Sequence, residues 1–564
     1  MARTVAIGRQ AYNEIIENNY FYVDKTLFIK EWWESGDSVT LITRPRRFGK
    51  TLNMSMTEQF FSLEYAERTD LFEGKEIWQN PEYHRLQGTY PVISLSFANV
   101  KEKTYTDTRR KICQLITDLY VKHSYLLFSG LLEEREIEFY KRISVDMDDV
   151  YATMAIYYMS KFLQQYYGKK VIILLDEYDT PLQEAYIEGY WNELTGFTRS
   201  MFNSTNKTNP WLERALMTGI TRVSKESIFS DLNNLEVVTA TSDKYAEYFG
   251  FTEAEVFGSL DECQLSEFRD NVKKWYDGFV FGEHRDIYNP WSILNFIDKR
   301  RFGTYWANTS SNSLVGKLLR EGHIDVKMQF EKLLSGESIE TALDEQIVYN
   351  QLNGNEEAIW SLLLASGYLK VESYESIPWD TPWWRPKYVL SLTNYEVKQM
   401  FQNMIHGWFA ESEKDYNDFV KAMLQGNLRA MNAYMNRVAL CTFSYFDTGN
   451  RPSGEEPERF YHGFVLGLMV ELCDRYVITS NRESGFGRYD VMLEPKNPEK
   501  DDAIILEFKV FDSYDEKTLE ETVQSALRQI EEKEYKAMLI ARGIPEDRIR
   551  SYGFAFQGKQ VLIG

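Results

Sequence analysis

Residues 39–61 read VTLITRPRRFGKTLNMSMTEQFF. The apolar run Val39–Thr43 predicts a buried strand, and the basic segment Arg44–Gly49 after it predicts a loop. Lys50 and Thr51 then open a segment in which apolar residues recur at helical spacing. A strand, a loop ending in Gly-Lys-Thr and a helix form the layout of a phosphate-binding P-loop. In that layout the free N–H groups and the dipole of the helix N-terminus favour an anion.

One position in this stretch departs from the usual P-loop pattern. The pattern has glycine five residues before the Gly-Lys pair, and Arg44 stands at that place. Arginine lacks the backbone freedom of glycine, so we expect a loop of altered shape. The basic side chains Arg44, Arg46 and Arg47 are candidates to hold phosphate instead. Arg46 and Arg47 are also candidates to stabilise charge on a transferring phosphoryl group.

A second strand supplies the acidic part of the predicted nucleotide site. Residues 171–177 read VIILLDE, which predicts a buried strand with Asp176 at its carboxyl end, where ligands bind in open α/β sheets. The Asp176 carboxylate would hold Mg²⁺ beside the Thr51 hydroxyl. Glu177 is placed to polarise the attacking water as general base. Lys50 would neutralise the β- and γ-phosphates of ATP.

Three more residues belong to the predicted nucleotide site. Gly49 ends the loop at the helix N-terminus that would bind phosphate. Thr218, near the end of the next strand, would sense the γ-phosphate, and Arg222 just beyond it would stabilise charge on the transferring group. Both motifs can arise by chance, but their order, each after a strand, favours nucleotide binding. The altered loop leaves open whether ATP is hydrolysed or only bound.

The composition predicts a globular chain of several domains. Its 564 residues suggest about three or four domains, and 43% hydrophobic with 26% charged residues excludes a disordered protein. The net charge of -21 argues against a surface built for indiscriminate nucleic-acid binding, although it allows a local basic groove. The N-terminal sequence MARTVAIGRQ lacks the apolar core of a signal peptide, and no apolar run approaches the roughly 20 residues that cross a bilayer. Four cysteines and six histidines lack metal-ligand spacing, which predicts free thiols in a reducing cytoplasm.

Strand-like and helical runs alternate over the first part of the chain. Apolar strands are predicted at 39–43, 91–97, 171–175, 214–219 and 235–239. Helices between them imply an α/β fold with a parallel sheet covered on both faces. The predicted domains are a P-loop domain over 1–245, a helical lid-like region over 246–350, a winged-helix-like and helical region over 351–450, and a C-terminal α/β domain over 455–564.

The middle of the chain is rich in aromatic residues and predicts two roles for them. The candidates to stack on bases are Trp275, Tyr276, Trp291 and Trp306. Aromatic residues at this density more often form core, and we favour that interpretation. A helix at 356–366 and strands at 368–371 and 388–392 fit part of a winged helix. That element would touch DNA or act as a lid on the nucleotide domain, and the absence of a basic helix favours the lid.

The last hundred residues carry a second candidate site. The predicted elements are a helix at 458–474, strands at 476–480, 488–494 and 503–510, a helix through 519–530 and a strand at 536–541. This order is that of the PD-(D/E)XK nuclease core. The alternation of strand residues puts Glu507 and Lys509 on one face. A hairpin symmetric about the 498/499 junction brings Asp490 directly opposite Glu507.

Two facing carboxylates repel each other unless a cation neutralises them, which predicts a Mg²⁺ or Mn²⁺ site at Asp490 and Glu507. Such an ion lowers the pKa of a bound water that attacks a phosphodiester. Lys509 would orient that water or stabilise the developing charge. Further candidates on the flanking helices are Gln529, Glu471 and His462. The alternatives are an exposed ion pair between Glu507 and Lys509 on an ordinary sheet edge, and a nuclease fold that only grips nucleic acid.

Several longer segments resemble one known family. They are YFYVDKT (20–26), LITRPRRFGKTLNMSM (41–56), ILLDEYDTP (173–181), TGITRVSKESIFSDLNNL (218–235) and WYDGFVFG (275–282). These segments closely resemble the predicted AAA-ATPase-like family of bacterial proteins, and FYHGFVLGL, SNRESGFGRYDVML and ILEFKV resemble its C-terminal pattern. The resemblance implies a P-loop fold with an extra catalytic glutamate, followed by a PD-(D/E)XK nuclease-like domain. It also implies that RPRRFGKT is the usual loop of the family, so Arg44 is not a defect of this chain.

Two functions follow from these two sites. The first is an ATPase coupled to a metal-dependent nuclease that acts on DNA or RNA in the bacterial cytoplasm, with ATP binding controlling access to the second site. The second is an ATP-dependent switch or scaffold whose C-terminal domain binds nucleic acid or protein and cuts nothing. Both have ATP as a ligand and involve no membrane. The sequence allows an oligomer and does not set the number of copies.

Overall fold

A computed structural model gives the fold of the chain. It describes residues 3–207, 209–222, 233–307, 315–316, 318–319, 324–343, 352, 355–375, 386–409, 413–442, 465, 469, 472, 475–484, 487–512, 514, 516–557 and 560–564. The chain divides into two compact units, Met1–Leu318 with Ser338–Lys398, and Leu319–Glu337 with Gln399–Gly564. Within the described residues, no helix is both long and apolar enough to cross a membrane. The predicted boundaries near 245, 350 and 450 stay predictions.

A five-stranded parallel sheet forms the centre of the first unit. Its strands are β1 (Val39–Thr43), β2 (Val92–Ser96), β3 (Val171–Asp176), β4 (Leu212–Gly219) and β5 (Leu235–Val238). Their spatial order is β2-β3-β4-β1-β5, and all neighbours pair in parallel. Strands β1 and β3 are buried at every position, as a sheet covered on both faces requires. The five predicted strands are confirmed, with ends shifted by one or two residues.

Helices flank this sheet as the alternating pattern predicts. They are α1 (Tyr12–Glu17), α2 (Leu27–Glu34), α3 (Lys50–Phe61), α4 (Pro81–Leu86), α5 (Tyr105–Lys122), α6 (Glu134–Arg142), α7 (Asp149–Tyr167), α8 (Thr180–Glu188) and α9 (Trp191–Asn206). Leu41, Ile173 and Met217 of the sheet share one core with Ile156 of α7 and Met201 of α9. That buried apolar surface holds the ends of β1, β3 and β4 in fixed positions.

The segment after the sheet contains three helices and a small sheet. The elements are β6 (Phe251–Thr252), α10 (Glu253–Glu262), α11 (Arg269–Tyr276), β7 (Phe279–Phe281), β8 (His284–Tyr288) and α12 (Pro290–Lys299). The strands pair antiparallel in the order β6-β8-β7, which the mostly helical prediction missed. Strands of two to five residues are too short for alternation to reveal.

The next described segment joins a helix to an antiparallel sheet. Its elements are α13 (Ile324–Ser335), β9 (Ile339–Ala342), α14 (Glu356–Ala365), β10 (Leu369–Tyr374), β11 (Lys387–Leu392), α15 (Tyr395–Phe409), α16 (Glu413–Gln425) and α17 (Leu428–Thr442). The sheet order is β10-β11-β9. The helix and two strands of the predicted winged-helix element are confirmed, and residues 376–385 between the strands lie outside the described residues.

The second unit contains a mixed five-stranded sheet. Its elements are β12 (Tyr476–Ser484), β13 (Gly487–Pro495), β14 (Ala503–Val510), α18 (Leu519–Glu532), α19 (Ala537–Ala541), β15 (Ile549–Gln557) and β16 (Gln560–Ile563). The strand order follows the chain, and β14 and β15 are the one parallel pair among the described strands of this sheet. Helix α18 connects these two strands, which is the arrangement of a β-α-β crossover.

One predicted strand of this unit is wrong. Residues 536–541 were expected to form the strand after α18, and the structure has helix α19 there instead. The strand that pairs with β14 is β15, at Ile549–Gln557. A short apolar run such as 537–541 has the composition of either a strand or a buried helix, so periodicity does not separate the two. The chain turns at Gly543, whose φ is 88°, and this ends the helix.

A carboxylate is buried in the first unit at the start of helix α15. Glu396, in the first turn of α15, has no exposed surface. Its Oε2 accepts a bond from the Ser292 hydroxyl at 2.7 Å, and its Oε1 accepts one from the Trp306 N–H at 2.6 Å. Desolvation raises the pKa of Glu396 to about 7 against these bonds, which lower it. The folded protein therefore binds this proton more tightly than the unfolded chain does.

We predict that Glu396 makes the stability of the first unit fall with pH. Its contribution is fully present below pH 4.5, the ordinary pKa of Glu, and is lost as the pH rises through about 7. Glu396→Gln keeps the shape without the charge. It should remove a decline on the order of 2 to 3 kcal/mol between pH 5 and 8. Urea unfolding followed by tryptophan fluorescence measures the difference, with the exposed Glu134→Gln as control, and equal pH profiles for both variants would contradict the prediction.

Candidate functional site

The loop between β1 and α3 has the curled backbone of a phosphate-binding loop. Arg47 and Gly49 adopt left-handed conformations, with φ of 65° and 80°. The Lys50 Nζ donates to the carbonyls of Arg44 at 2.8 Å and Pro45 at 2.7 Å. These bonds join the end of the loop to its beginning and close it into a ring. Desolvation lowers the pKa of Lys50 to about 8. Nearby carboxylates oppose this shift, and the carboxylate of Glu177 has the largest effect among them.

Arg44, a candidate phosphate ligand, contacts backbone carbonyls in the interior of the first unit. Its side chain is completely buried, and its Nη1 donates to the carbonyls of Thr43 at 3.1 Å and Thr239 at 2.5 Å. Its guanidinium lies 4.3 Å from the centroid of the Phe281 ring and also donates to the Lys244 carbonyl at 3.4 Å. Burial lowers the pKa of Arg44 to about 9. The residue that replaces glycine therefore ties the loop to the end of β5 and the chain beyond it.

The side chains of Arg46 and Arg47 each contact an element outside the loop. The Arg46 Nη2 donates to the Gln183 Oε1 of α8 at 3.3 Å. The Arg47 guanidinium lies 4.3 Å from the centroid of the Trp291 ring, a cation–π distance. Gln183 belongs to no motif, so no sequence pattern indicated this contact. Trp291 was favoured as core, and the structure shows a half-buried ring against the loop.

The carboxyl end of β3 joins the loop in one buried polar cluster. The Thr51 hydroxyl donates to the Asp176 Oδ2 at 2.8 Å, and the Thr218 hydroxyl of β4 donates to its Oδ1. Desolvation raises the pKa of Asp176, whereas these hydroxyls and Lys50 lower it. The structure thus brings together four of the predicted residues. Hydroxyls and a carboxylate at a strand end are oxygen ligands of the kind that Mg²⁺ prefers.

Glu177, the expected general base, follows directly after β3 in a strained conformation. Its φ is 51°, in the left-handed region that side chains rarely adopt. The Thr180 hydroxyl of α8 donates to its Oε2 at 3.1 Å. Strained backbone of this kind persists where the surroundings enforce it, often at functional sites. The strained conformation of Glu177 indicates a functional role for its carboxylate and not a packing role.

Asp179 is a further residue of this site, which the sequence analysis missed. It is 2% exposed, and its Oδ2 accepts bonds from the N–H groups of Ile220 at 2.9 Å and Thr221 at 2.8 Å. These bonds fix the segment that leads from Thr218 to Arg222. Arg222 is half-buried at the end of a described range. The second acid in the sequence DEYD was the available signal.

The predicted register of the second site is confirmed. Strands β13 and β14 pair Val491 with Leu506, Met492 with Ile505 and Leu493 with Ile504, which is a hairpin symmetric about the 498/499 junction. Continued by one residue, this register would bring Asp490 opposite Glu507. Because the register is fixed by three buried apolar pairs, the position of the two carboxylates follows from the core.

Four predicted residues lie together here, three on strands β13 and β14 and Gln529 on helix α18. The Asp490 Oδ2 accepts a bond from the Phe508 N–H at 2.8 Å. Glu507 is 2% exposed, and its Oε1 accepts a bond from the Gln529 side chain of α18. Desolvation raises the pKa of Asp490 to about 6, and the Phe508 N–H and Lys509 both lower it. A buried acidic pair beside a lysine suits a divalent cation, which would relieve the cost of two neighbouring charges.

Two neighbours of the pair complete the local geometry. The Gln529 Nε2 also donates to the Tyr535 hydroxyl at 3.2 Å, so Tyr535 orients the amide that binds Glu507. No motif pointed to Tyr535. Gly553 of β15 pairs with Glu507 of β14. A Cβ at Gly553 would lie 2.8 Å from the Val523 carbonyl, so glycine lets α18 approach the sheet. The accessory candidates Glu471 and His462 lie outside the described residues.

The two sites and their sheets define two classes of domain. A parallel sheet with a ring-shaped Gly-Lys-Thr loop and an acid-ended neighbouring strand is the architecture of a P-loop NTPase domain. A mixed sheet with facing carboxylates, a Glu-x-Lys strand and a crossover helix is that of a PD-(D/E)XK nuclease domain.

Comparison with known proteins agrees with both classes. Residues 6–229 match the family described as "Predicted AAA-ATPase", and residues 456–564 match the family described as "PD-(D/E)XK nuclease superfamily". Each match covers one part of the chain, which indicates an AAA-ATPase-like domain over 6–229 and a PD-(D/E)XK nuclease superfamily domain over 456–564. It is also 26% identical over 402 residues to an "Uncharacterized protein in vnfD 5'region" of Azotobacter chroococcum mcd 1, which covers 70% of this chain and 68% of that protein.

We predict that Gly219→Ala destabilises the first unit. A Cβ at Gly219 would lie 2.7 Å from both the Asp179 Oδ1 and the Tyr178 Cε1, and both side chains are buried. Overpacking of this kind costs roughly 1 to 3 kcal/mol, which should lower Tm by several degrees. The control is Gly196→Ala within α9, where no atom lies within 4 Å of the new Cβ. Circular dichroism melting compares the two, and an unchanged Tm for Gly219→Ala would contradict the packing argument.

Proposed function

We propose that the chain binds and hydrolyses ATP at its first site and cuts nucleic acid at its second, in a metal-dependent reaction that ATP controls. The observation that carries the proposal is the convergence of Lys50, Thr51 and Asp176 from two strand ends in one buried polar cluster. Burying such groups is costly unless they are paired, and phosphate with Mg²⁺ would complete the pairing.

At the first site, each group has a chemical task that its position supports. Lys50 would shift from the loop carbonyls toward the β- and γ-phosphates, and Gly49 would admit phosphate to the helix N-terminus. Thr51 and Asp176 would hold Mg²⁺, which when bound neutralises phosphate charge. Glu177 would accept a proton from the attacking water.

Charge on the transferring phosphoryl group would be stabilised from two sides. Arg46 and Arg47 lie on the loop itself, and Arg222 follows the segment that Asp179 fixes. Thr218 links the two sides because its hydroxyl contacts Asp176 at the end of β4. Loss of the γ-phosphate would therefore change the contacts at the same strand ends that hold the metal ligands.

At the second site, Asp490 and Glu507 would hold Mg²⁺ or Mn²⁺, which when bound lowers the pKa of a coordinated water. Gln529 and Tyr535 keep the Glu507 carboxylate in one orientation. Lys509 would orient the attacking water or stabilise the phosphorane charge. The substrate class is a phosphodiester of DNA or RNA, since this arrangement serves attack of water at phosphorus.

Lys50→Ala tests the first site. Removing a cation that binds phosphate oxygens should weaken binding of ATP with Mg²⁺ roughly 10- to 100-fold, because hydrogen bonds to charged groups contribute about 1.5 to 3 kcal/mol. Isothermal titration calorimetry measures the affinity. The matched control is Lys103→Ala, an exposed lysine of the same unit. Wild-type affinity in Lys50→Ala would overturn the assignment of this loop.

Asp490→Asn tests the second site. The change keeps the acceptor for the Phe508 N–H and removes the charge that a cation needs, so Mn²⁺-dependent cleavage should fall about 100-fold or more. Labelled single- and double-stranded DNA and RNA serve as substrates, and Mn²⁺ binding by calorimetry is the second readout. Asp547→Asn, an exposed acid of the same unit, is the control.

The same assay, run with and without ATP, tests the control of cleavage. Cleavage that responds neither to ATP nor to Lys50→Ala would remove the coupling and leave two independent activities. Binding of nucleic acid by the wild type without any cleavage would instead favour the switch or scaffold.

A further inference from the structure

The P-loop is packed against the middle elements of the first unit. A Cβ at Gly367, after α14, would lie 2.7 Å from the Pro45 Cγ, so this turn presses on the loop. The Phe48 ring meets the Phe279 ring of β7 edge-on, with 4.7 Å between centroids. Phe48 and Phe279 are both buried. A change of loop shape therefore requires a change in these neighbours.

The loop backbone is also bonded to two buried side chains of this region. The Arg46 carbonyl accepts a bond from the Trp306 Nε1 at 2.9 Å and from the Asn289 Nδ2 at 3.3 Å. The Arg46 carbonyl and the Arg47 N–H belong to one planar peptide group. P-loops bind phosphate through backbone N–H groups. The partners of the Arg46 carbonyl therefore set the direction in which the Arg47 N–H points.

Trp306 is held at its backbone as well as at its indole. The N–H of Trp306 donates to the Glu396 Oε1 at 2.6 Å, and the N–H of Ala307 donates to the same oxygen at 3.3 Å. Trp306 is 3% exposed and Glu396 is fully buried. In this dry setting a displacement of the indole cannot be absorbed by water, so the backbone and the carboxylate would move with it.

Glu396 lies in the first turn of a helix that both units share. Helix α15 runs over Tyr395–Phe409, and the division between the units falls after Lys398. Farther along the helix, the Phe401 ring packs edge-on against the Phe330 ring of α13, with 4.9 Å between centroids, and both belong to the second unit. The first turn of α15, with Glu396, belongs to the first unit.

We propose that Arg46, Trp306 and Glu396 form a relay that reports occupancy of the P-loop to helix α15. The proposal rests on the proposed nucleotide binding and assigns the regulation of that site to three residues. Phosphate that reorients the Arg46–Arg47 peptide changes the bond to the indole, the indole shifts its own backbone, and Glu396 follows with the helix. The ligand biases the helix only as far as it favours one loop orientation over the other.

Trp306→Phe breaks the first contact of the relay and keeps an aromatic ring against Phe279 and Tyr368. Loss of one neutral hydrogen bond should weaken binding of a non-hydrolysable ATP analogue with Mg²⁺ by less than about tenfold. Hydrogen exchange of peptides over 395–409 is then measured in the full chain, with and without saturating analogue. In the wild type the analogue should change the exchange rate at least about threefold, and in Trp306→Phe that change should disappear.

The controls separate the relay from a fault in folding or binding. Trp78→Phe is the same substitution at a site where the ring stacks on His84. It should keep the wild-type change in hydrogen exchange over 395–409. If circular dichroism finds Trp306→Phe unfolded, Asn289→Ser carries the test. Serine caps α12 as asparagine does but is too short to reach the Arg46 carbonyl, so the response should be weakened at equal saturation.

Each outcome bears on one of the two proposals. A wild type that fails to bind the analogue overturns the proposed function and the relay together. A wild type that binds the analogue with unchanged exchange over 395–409 overturns the relay alone. A full response in folded Trp306→Phe does the same. Complete loss of binding in Trp306→Phe also rejects the relay, because the indole would then only shape the loop.

Discussion

A buried positive charge at the start of the P-loop is the constraint on which the first unit depends. Arg44 stands where the usual loop has glycine, and its guanidinium satisfies the carbonyls of Thr43 and Thr239 while lying on the Phe281 ring. A charged group in this position is tolerable only because backbone oxygens and a ring face surround it. The loop is thereby tied to β5 and β7, so its conformation is a property of the whole unit.

The two sites solve the same electrostatic problem in different ways. Asp176 is buried and held by two hydroxyls, whereas Asp490 is held by a backbone N–H and Glu507 by an amide. Burial raises the pKa of Asp176 and of Asp490 because the charged form loses water. Both carboxylates therefore gain from a nearby cation more than exposed ones would. The first site already has one in Lys50, and the second has Lys509.

Much of this architecture could be predicted from the sequence because it depends on local patterns. The five parallel strands and the register of Asp490 against Glu507 follow from apolar runs and from the period of a strand. The helix at 537–541 was taken for a strand because five apolar residues fit either structure. The contact of Arg44 with Thr239 and the roles of Asp179 and Glu396 could not be predicted, since the partners Thr239, Ile220 and Ser292 lie more than 40 residues away in the chain. Long-range partners of buried polar groups leave no periodic trace.

Strand β14 offers a last consequence. It pairs with β15 at every residue from Ala503 to Val510, and β13 borders its other side. Bonds to β15 along its whole length, and to β13 from Ile504 to Leu506, make β14 a stiff element, and Glu507 and Lys509 are built into it. Such a site does not switch by bending. Under the proposed function, regulation would therefore act on the access of a polynucleotide to this site and not on the shape of the site.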